Sequence, residues 1–251
     1  MIRLLMVLLL IAAGARADDF GTYAFTQRQG AALPLDAVVT DATGLRAPLG
    51  KFLAQRPAIL ALGYFHCPNL CGVMREDLFN ALGGTGLTTP RDYTVLAISI
   101  DPDEHPADAA AAKADVLARY PTPGAAEGWH FVVADAPAIA QIEQAVGFHA
   151  RYDQSLRQFL HPSGLVFATP AGVVAGYLLG VGYPPGDVAA SVARAAQGRM
   201  AAALPVLLLC FHFDPSTGRY TLEVLKLVQL GGVLAVLTIC GMLVLLHRRS
   251  R

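Results

Sequence analysis

Between residues 35 and 198 the chain switches repeatedly between short, continuous apolar runs and longer stretches with apolar positions three and four apart. Pro57 to Phe65 (PAILALGYF) and Tyr93 to Ile100 (YTVLAISI) lack the polar alternation of a half-exposed strand, so they predict strands covered on both faces. After the first run, Val73, Met74, Leu78, Ala81 and Leu82 fall on one face of a helix that Gly83-Gly84 ends. After the second, Pro106 opens a helix over Ala107 to Tyr120. Trp129 to Val133 predicts a third strand and Pro137 to Val146 a helix. Phe148 to Tyr152, Gly164 to Thr169 and Val173 to Leu179 read as strands, the last two as a hairpin around Pro170-Ala171-Gly172, with Pro184 to Ala196 as the closing helix. Ahead of all these, Leu35 to Thr40 and Leu45 to Pro48 flank Asp41-Ala42-Thr43-Gly44 as a further hairpin, and Asp18 to Pro34 reads as an extended leader over the surface.

Strands that alternate with helices early and close with a hairpin and a helix give the order of a thioredoxin-like α/β sheet flanked by helices, over residues 35–198. No internal repeat interrupts it.

The two ends of the chain break this pattern. Arg3 precedes an apolar run from Leu4 to Ala13, followed by Ala15-Arg16-Ala17. That is the make-up of a secretory signal peptide over residues 1–17, and the run is too short to span roughly 30 Å of hydrocarbon. From Leu227 to Leu246 the chain reads LVQLGGVLAVLTICGMLVLL without a charge. At about 1.5 Å per residue this run is long enough for one transmembrane helix. The basic tail His247-Arg248-Arg249-Ser250-Arg251 predicts a cytoplasmic C-terminus and puts the preceding domain, joined through residues 199–226, outside the cytoplasm. In a bacterium that is a single-pass protein of the inner membrane with a periplasmic domain.

Composition agrees with a chain partly in lipid: 54% of residues are hydrophobic and only 15% charged, against ~25% in a typical soluble domain. With 19 basic and 19 acidic side chains the net charge is zero, and nothing provides the basic surface that nucleic-acid binding needs.

Of the four cysteines, Cys240 lies within the apolar run and reads as a small packing residue. Cys67 and Cys71 are different. They sit where a buried strand enters a helix, at the strand's carboxyl end, the edge at which open α/β sheets form sites. The first turn of a helix stabilises a thiolate, and two thiolates this close suit a soft metal or a reversible disulfide. A thioredoxin-type oxidoreductase would show two residues between the sulfurs, whereas three stand here, and the longer spacing favours chelation. Softness points to Cu(I). A further donor is needed, and His161, just ahead of a predicted strand, is the candidate, with a solvated surface histidine as the other reading.

In order along the chain, Phe65-His66-Cys67-Pro68-Asn69-Leu70-Cys71, Ser99-Ile100-Asp101-Pro102 and His161 resemble the motifs of the SCO/SenC family of copper-binding cytochrome c oxidase assembly proteins. The resemblance covers about Leu33 to Gln197. It implies a thioredoxin-like fold with copper, as Cu(I) or Cu(II), held by Cys67, Cys71 and His161. It also implies delivery of copper, or reduction of thiols, at the binuclear copper site of a respiratory oxidase. The implied partners are the copper-bearing subunit of cytochrome c oxidase and other copper chaperones. Three positions depart from the family pattern: Asn69 and Leu160 stand where Asp is frequent, and Gly72 where Pro is. The tether is also expected at the C-terminus rather than the N-terminus.

The expected function is therefore that of a copper metallochaperone rather than an enzyme. The alternative is a thiol–disulfide oxidoreductase with Cys67 and Cys71 as its redox pair, which would not need His161. Asp101 reads first as structural, with orienting or repelling charge near the metal as the other reading. Cys210 and His212 would share a face if Leu204 to Pro215 is extended, which makes them a conceivable second soft-metal pair or simply apolar packing near the membrane. His66 is expected beside the site or at the surface, and His105, His130 and His149 in solvent.

Overall fold

The computed structural model describes residues 25–66, 70–202, 211–214, 219–222 and 231–232, with only the backbone described for Leu70, Cys71 and residues 211–214 and 219–222. The chain divides into two compact units after Ala201.

In the first unit the buried runs become strands. β1 (Val38–Asp41) and β2 (Arg46–Pro48) form a hairpin, followed by the short helix α1 (Leu49–Leu53). Then come β3 (Ala58–Gly63), α2 (Leu70–Gly83), β4 (Thr94–Ser99), α3 (Pro106–Arg119), α4 (Ala125–Gly128), β5 (Trp129–Val133) and α5 (Ala136–Val146). β6 (Arg151–Asp153) and β7 (Gln158–Leu160) form a small separate hairpin, and β8 (Gly164–Ala168), β9 (Val174–Leu179) and α6 (Pro185–Ala196) complete the unit. The main sheet runs β2-β1-β5-β4-β3-β8-β9. β3, β4 and β5 are parallel, while β8 runs antiparallel to β3. This is the mixed sheet of a thioredoxin-like α/β fold.

Every residue of β3 and β4 is buried, which is why their sequences carry no polar alternation. Successive residues still face opposite ways. Leu60, Leu62, Leu96 and Ile98 pack with Phe52 of α1 and Ile139, Ile142 and Val146 of α5. Ile59, Ala61, Val95 and Ala97 pack with Met74 and Leu78 of α2, Val116 of α3 and Val192 of α6. Trp129 is fully buried against Phe79, ring centroids 4.4 Å apart, as expected for the sole tryptophan.

Some features escaped the pattern. Residues 25–34 do not simply run over the surface: Ala32 bridges Val173, Leu33 is buried, and Phe25 meets Phe148 and Tyr177 edge-on. Gly147 makes this possible. It ends α5 at φ +62°, and a Cβ there would lie 1.8 Å from the Thr26 carbonyl oxygen. The strand expected at Phe148 to Tyr152 starts later, at Arg151: the Phe148 amide still closes α5 by donating to the Glu143 carbonyl at 2.9 Å, and Asp153 ends the strand by accepting hydrogen bonds from the Ser155 and Leu156 amides at 2.8 and 3.0 Å. The helices α1 and α4 were not anticipated.

In the second unit β10 (Phe211–Asp214) pairs antiparallel with β11 (Arg219–Leu222), placing His212 opposite Thr221. Among the described residues no helix is long and apolar enough to cross a membrane. The expected signal peptide, residues 1–17, lies outside the described residues. So does the expected span from Leu227 to Leu246, apart from Gly231 and Gly232.

Candidate metal centre

The end of β3 is the focus. The Ile100 amide donates to the Gly63 carbonyl at 2.8 Å, so β3 and β4 finish together and release Tyr64-Phe65-His66 and Asp101-Pro102-Asp103-Glu104 side by side. In the β3–β8 register Ala61 lies opposite Leu165, which brings the residues that precede β8 to the same edge.

Glu104 spans the two loops. It is only 6% exposed, and a buried carboxylate is costly unless hydrogen-bonded. Its Oε2 accepts from the Phe65 amide at 2.9 Å and the Ser99 hydroxyl at 2.6 Å, and its Oε1 accepts from the His66 amide at 2.7 Å. The Arg75 guanidinium, on α2, holds the same turn from another side. It donates to the Tyr64 carbonyl at 3.1 Å and lies 5.5 Å from the Phe65 ring centroid. Neither Glu104 nor Arg75 was marked out by the sequence. The Ser-Ile-Asp-Pro phrase pointed only to Asp101, three residues short of the carboxylate that reaches the turn.

The turn leads to Cys67, which lies outside the described residues. Cys71 has its backbone in the first turn of α2, where the unpaired helical N–H groups favour a negative charge. Cys210 also lies outside the described residues, and of His212 only the strand backbone is described. Among the described residues no group of three or more His, Cys, Asp and Glu side chains could hold a metal.

His161 follows β7 and is half-buried. Its ring sits 6.0 Å from Tyr64, edge-on, and 5.6 Å from Phe148. Its Nδ1 lies 3.0 Å from the Pro162 carbonyl oxygen, and a carbonyl only accepts. Nδ1 therefore carries the proton, which leaves the lone pair of the neutral ring on Nε2. A backbone carbonyl on one ring nitrogen is the usual arrangement for a histidine that ligates through the other. Glu143, on α5, is close enough for the histidine to attract its charge, but burial outweighs that attraction and pushes its pKa up to about 7.

Asp101 is half-buried near the same edge, and its Oδ1 accepts from the Asp103 amide at 2.9 Å. Burial raises its pKa above the ordinary carboxylate value despite that hydrogen bond, and the charges of Glu104 and Asp103 push the same way. It is thus tied within its own loop beside Glu104.

His66 is exposed, with Nδ1 3.3 Å from Glu104 and Nε2 3.4 Å from Asp108. It borders a cleft of about 160 Å³ between α2 and α3 that is also lined by Gly72, Arg75, Asp108 and Arg119. The other histidines are not all simply solvated. His130 is half-buried and meets Phe52 edge-on at 5.3 Å, and burial lowers its pKa. His105 is exposed but sits at the start of α3, where its amide donates to Asp108 at 2.7 Å. His149 is exposed and 2.9 Å from the Thr26 hydroxyl.

No family model matches the chain, and no curated protein does. Solved structures do. A protein from Aquifex aeolicus VF5, described as a candidate electron-transfer protein, is 22% identical, with a TM-score of 0.59 over 68% of this chain and 96% of that one. A SCO1/SenC family lipoprotein from Bacillus anthracis is 15% identical, with a TM-score of 0.55 over 69% of this chain and 99% of that one. ScoI from Arabidopsis thaliana with copper bound is 15% identical, with a TM-score of 0.52 over 68% of this chain and 99% of that one. At these identities the likeness shows a shared fold.

Proposed function

We propose that this chain is a copper-binding protein of the SCO/SenC kind, which holds copper through Cys67, Cys71 and His161 and passes it to the copper-bearing subunit of a respiratory cytochrome c oxidase. The observation that carries this reading is His161. Its imidazole lies against Tyr64, three residues before Cys67, at the edge of the sheet, and Cys71 falls in the first turn of α2. Its Nδ1 is committed to a backbone carbonyl, leaving Nε2 with the lone pair that a metal takes. Two thiolates and one imidazole form a soft donor set suited to Cu(I) and tolerant of Cu(II). The fold shared with copper-bound ScoI supports the same reading. On this reading the domain works outside the cytoplasm, tethered by the Leu227 to Leu246 run beside the membrane that contains its client.

The test is Cu(I) titration of the full-length chain in detergent against a chromophoric competitor. Cys67→Ser, Cys71→Ser and His161→Ala should each weaken binding by more than about 100-fold, beyond the 10–100-fold typical for residues that only support a ligand. Wild-type affinity in His161→Ala would sink the three-ligand site. The thiol–disulfide reading is favoured by the setting of Cys71 at a helix start, which lowers a thiol pKa. It predicts that His161→Ala keeps full reductase activity on a cysteine-bearing oxidase peptide, whereas the copper reading does not require any such activity.

A further inference from the structure

The copper reading leaves unexplained why a carboxylate is buried against the Phe65-His66 turn that precedes Cys67. Glu104 belongs to the loop before α3, yet two of its hydrogen bonds reach back to the amides of Phe65 and His66, 39 and 38 residues earlier. Consecutive amides aimed at the two oxygens of one carboxylate fix the backbone of both residues, and these are the last two before Cys67. The Ser99 hydroxyl, at 2.6 Å, supplies another donor, and the His66 ring faces Oε1 at 3.3 Å. Three donors thus converge on the two oxygens of one side chain, and hydrogen bonds to a carboxylate are about twice as strong as neutral ones. Arg75 adds the complementary grip on the Tyr64 carbonyl. The turn is thus held by an anion at its N–H groups and by a cation at a carbonyl. A turn with no task beyond linking β3 to α2 would find water for the same groups at its exposed end.

We propose that Glu104 is the positioning residue of the metal centre: it sets the direction in which the chain enters Cys67, and so the placement of that thiolate relative to Cys71 and His161. The proposal rests on the copper reading of those three residues. The Glu104 side chain itself does not touch the metal in this scheme. It acts through the Phe65 and His66 amides.

Glu104→Gln tests it. The amide keeps the size but presents an –NH₂ to donors, so one of the Phe65 and His66 amides loses its acceptor. In the full-length chain the expected results are a 10–100-fold weaker Cu(I) affinity and a shifted thiolate-to-Cu(II) absorption band. The metal-free chain should show a several-fold change in the rate at which iodoacetamide alkylates Cys67, read by mass spectrometry. Val39→Ala, a buried truncation on β1 at the far side of the sheet, is the control for mere loss of stability. It should leave the affinity, the band and the alkylation rate unchanged. A folded Glu104→Gln chain with wild-type affinity, band and alkylation rate overturns the proposal. If His161→Ala still weakens binding in the same series, only the role of Glu104 falls, whereas wild-type binding in both His161→Ala and Cys67→Ser overturns the copper reading itself. Should Glu104→Gln fail to fold, Glu104→Asp keeps the charge on a shorter arm and is judged by the same readouts. If neither folds, Glu104 is a stability residue and the proposal is wrong.

Discussion

Replacing Glu143 with Gln removes a carboxyl that folding drives towards its neutral form. Glu143 lies on the last turn of α5, half-buried and close to His161, and its pKa rises from an ordinary 4.5 to about 7 because burial outweighs the attraction of the histidine. The unfolded chain loses this proton near 4.5 and the folded chain near 7, so between those values the folded state binds more protons and stability falls as pH rises. The contribution is fully present below 4.5 and gone above about 7. For a carboxyl wholly removed from water that gap would be worth about 3.4 kcal/mol. Glu143 still faces solvent on one side, and screening reduces the figure to about 1–2 kcal/mol. Gln is uncharged throughout, so the Glu143→Gln chain should lack the fall. Relative to wild type it should gain about 1–2 kcal/mol between pH 4.5 and pH 8. Urea denaturation of the metal-free chain at both pH values measures this, followed by the fluorescence of Trp129, which is the only tryptophan and fully buried. Comparing mutant with wild type at each pH cancels the other titrating groups. If the difference in stability between the two chains is the same at both pH values, Glu143 does not titrate as argued.

Two further perturbations probe the frame around the site. Gly147→Ala forces a side chain into the left-handed region and against the Thr26 carbonyl, and puts at risk the 2.7 Å hydrogen bond from the Thr26 amide. It should cost about 2–3 kcal/mol in urea denaturation and speed amide exchange at Gly30 and Leu33, and unchanged exchange there would show that the leader is anchored elsewhere. Asp135 caps α5 by accepting from the Ala138 amide at 3.0 Å. Asp135→Ala should lose about 1 kcal/mol, and no loss in the same assay would mean that the helix is held by its packing alone.

Much of the sheet was legible in local patterns. The buried runs before Cys67 and Asp101 become β3 and β4, Pro106 does open a helix, and Trp129 begins a strand, because burial on both faces and helix starts leave marks within a few residues. The β6–β7 turn was missed because its signal is an Asp153 side chain rather than a glycine or proline. The leader was underestimated because its contacts, such as Thr26 with His149 and Arg28 with Tyr177, span 123 and 149 residues.

At the candidate site the same division holds. The sequence by itself determined which donors are on offer: two thiols at a strand-to-helix junction and a histidine ahead of a later strand. Residue type and spacing are local properties, and thiolate and imidazole chemistry follows from them directly. Tertiary structure decided what surrounds His161 and the turn that precedes Cys67. The antiparallel pairing of β3 with β8 brings His161 to Tyr64, and the parallel pairing of β3 with β4 puts Glu104 beneath Phe65 and His66. In the sequence Glu104 is one acid in an acidic loop. Its burial, and therefore its need for partners, exists only once two strands distant in the chain end at the same edge of the sheet.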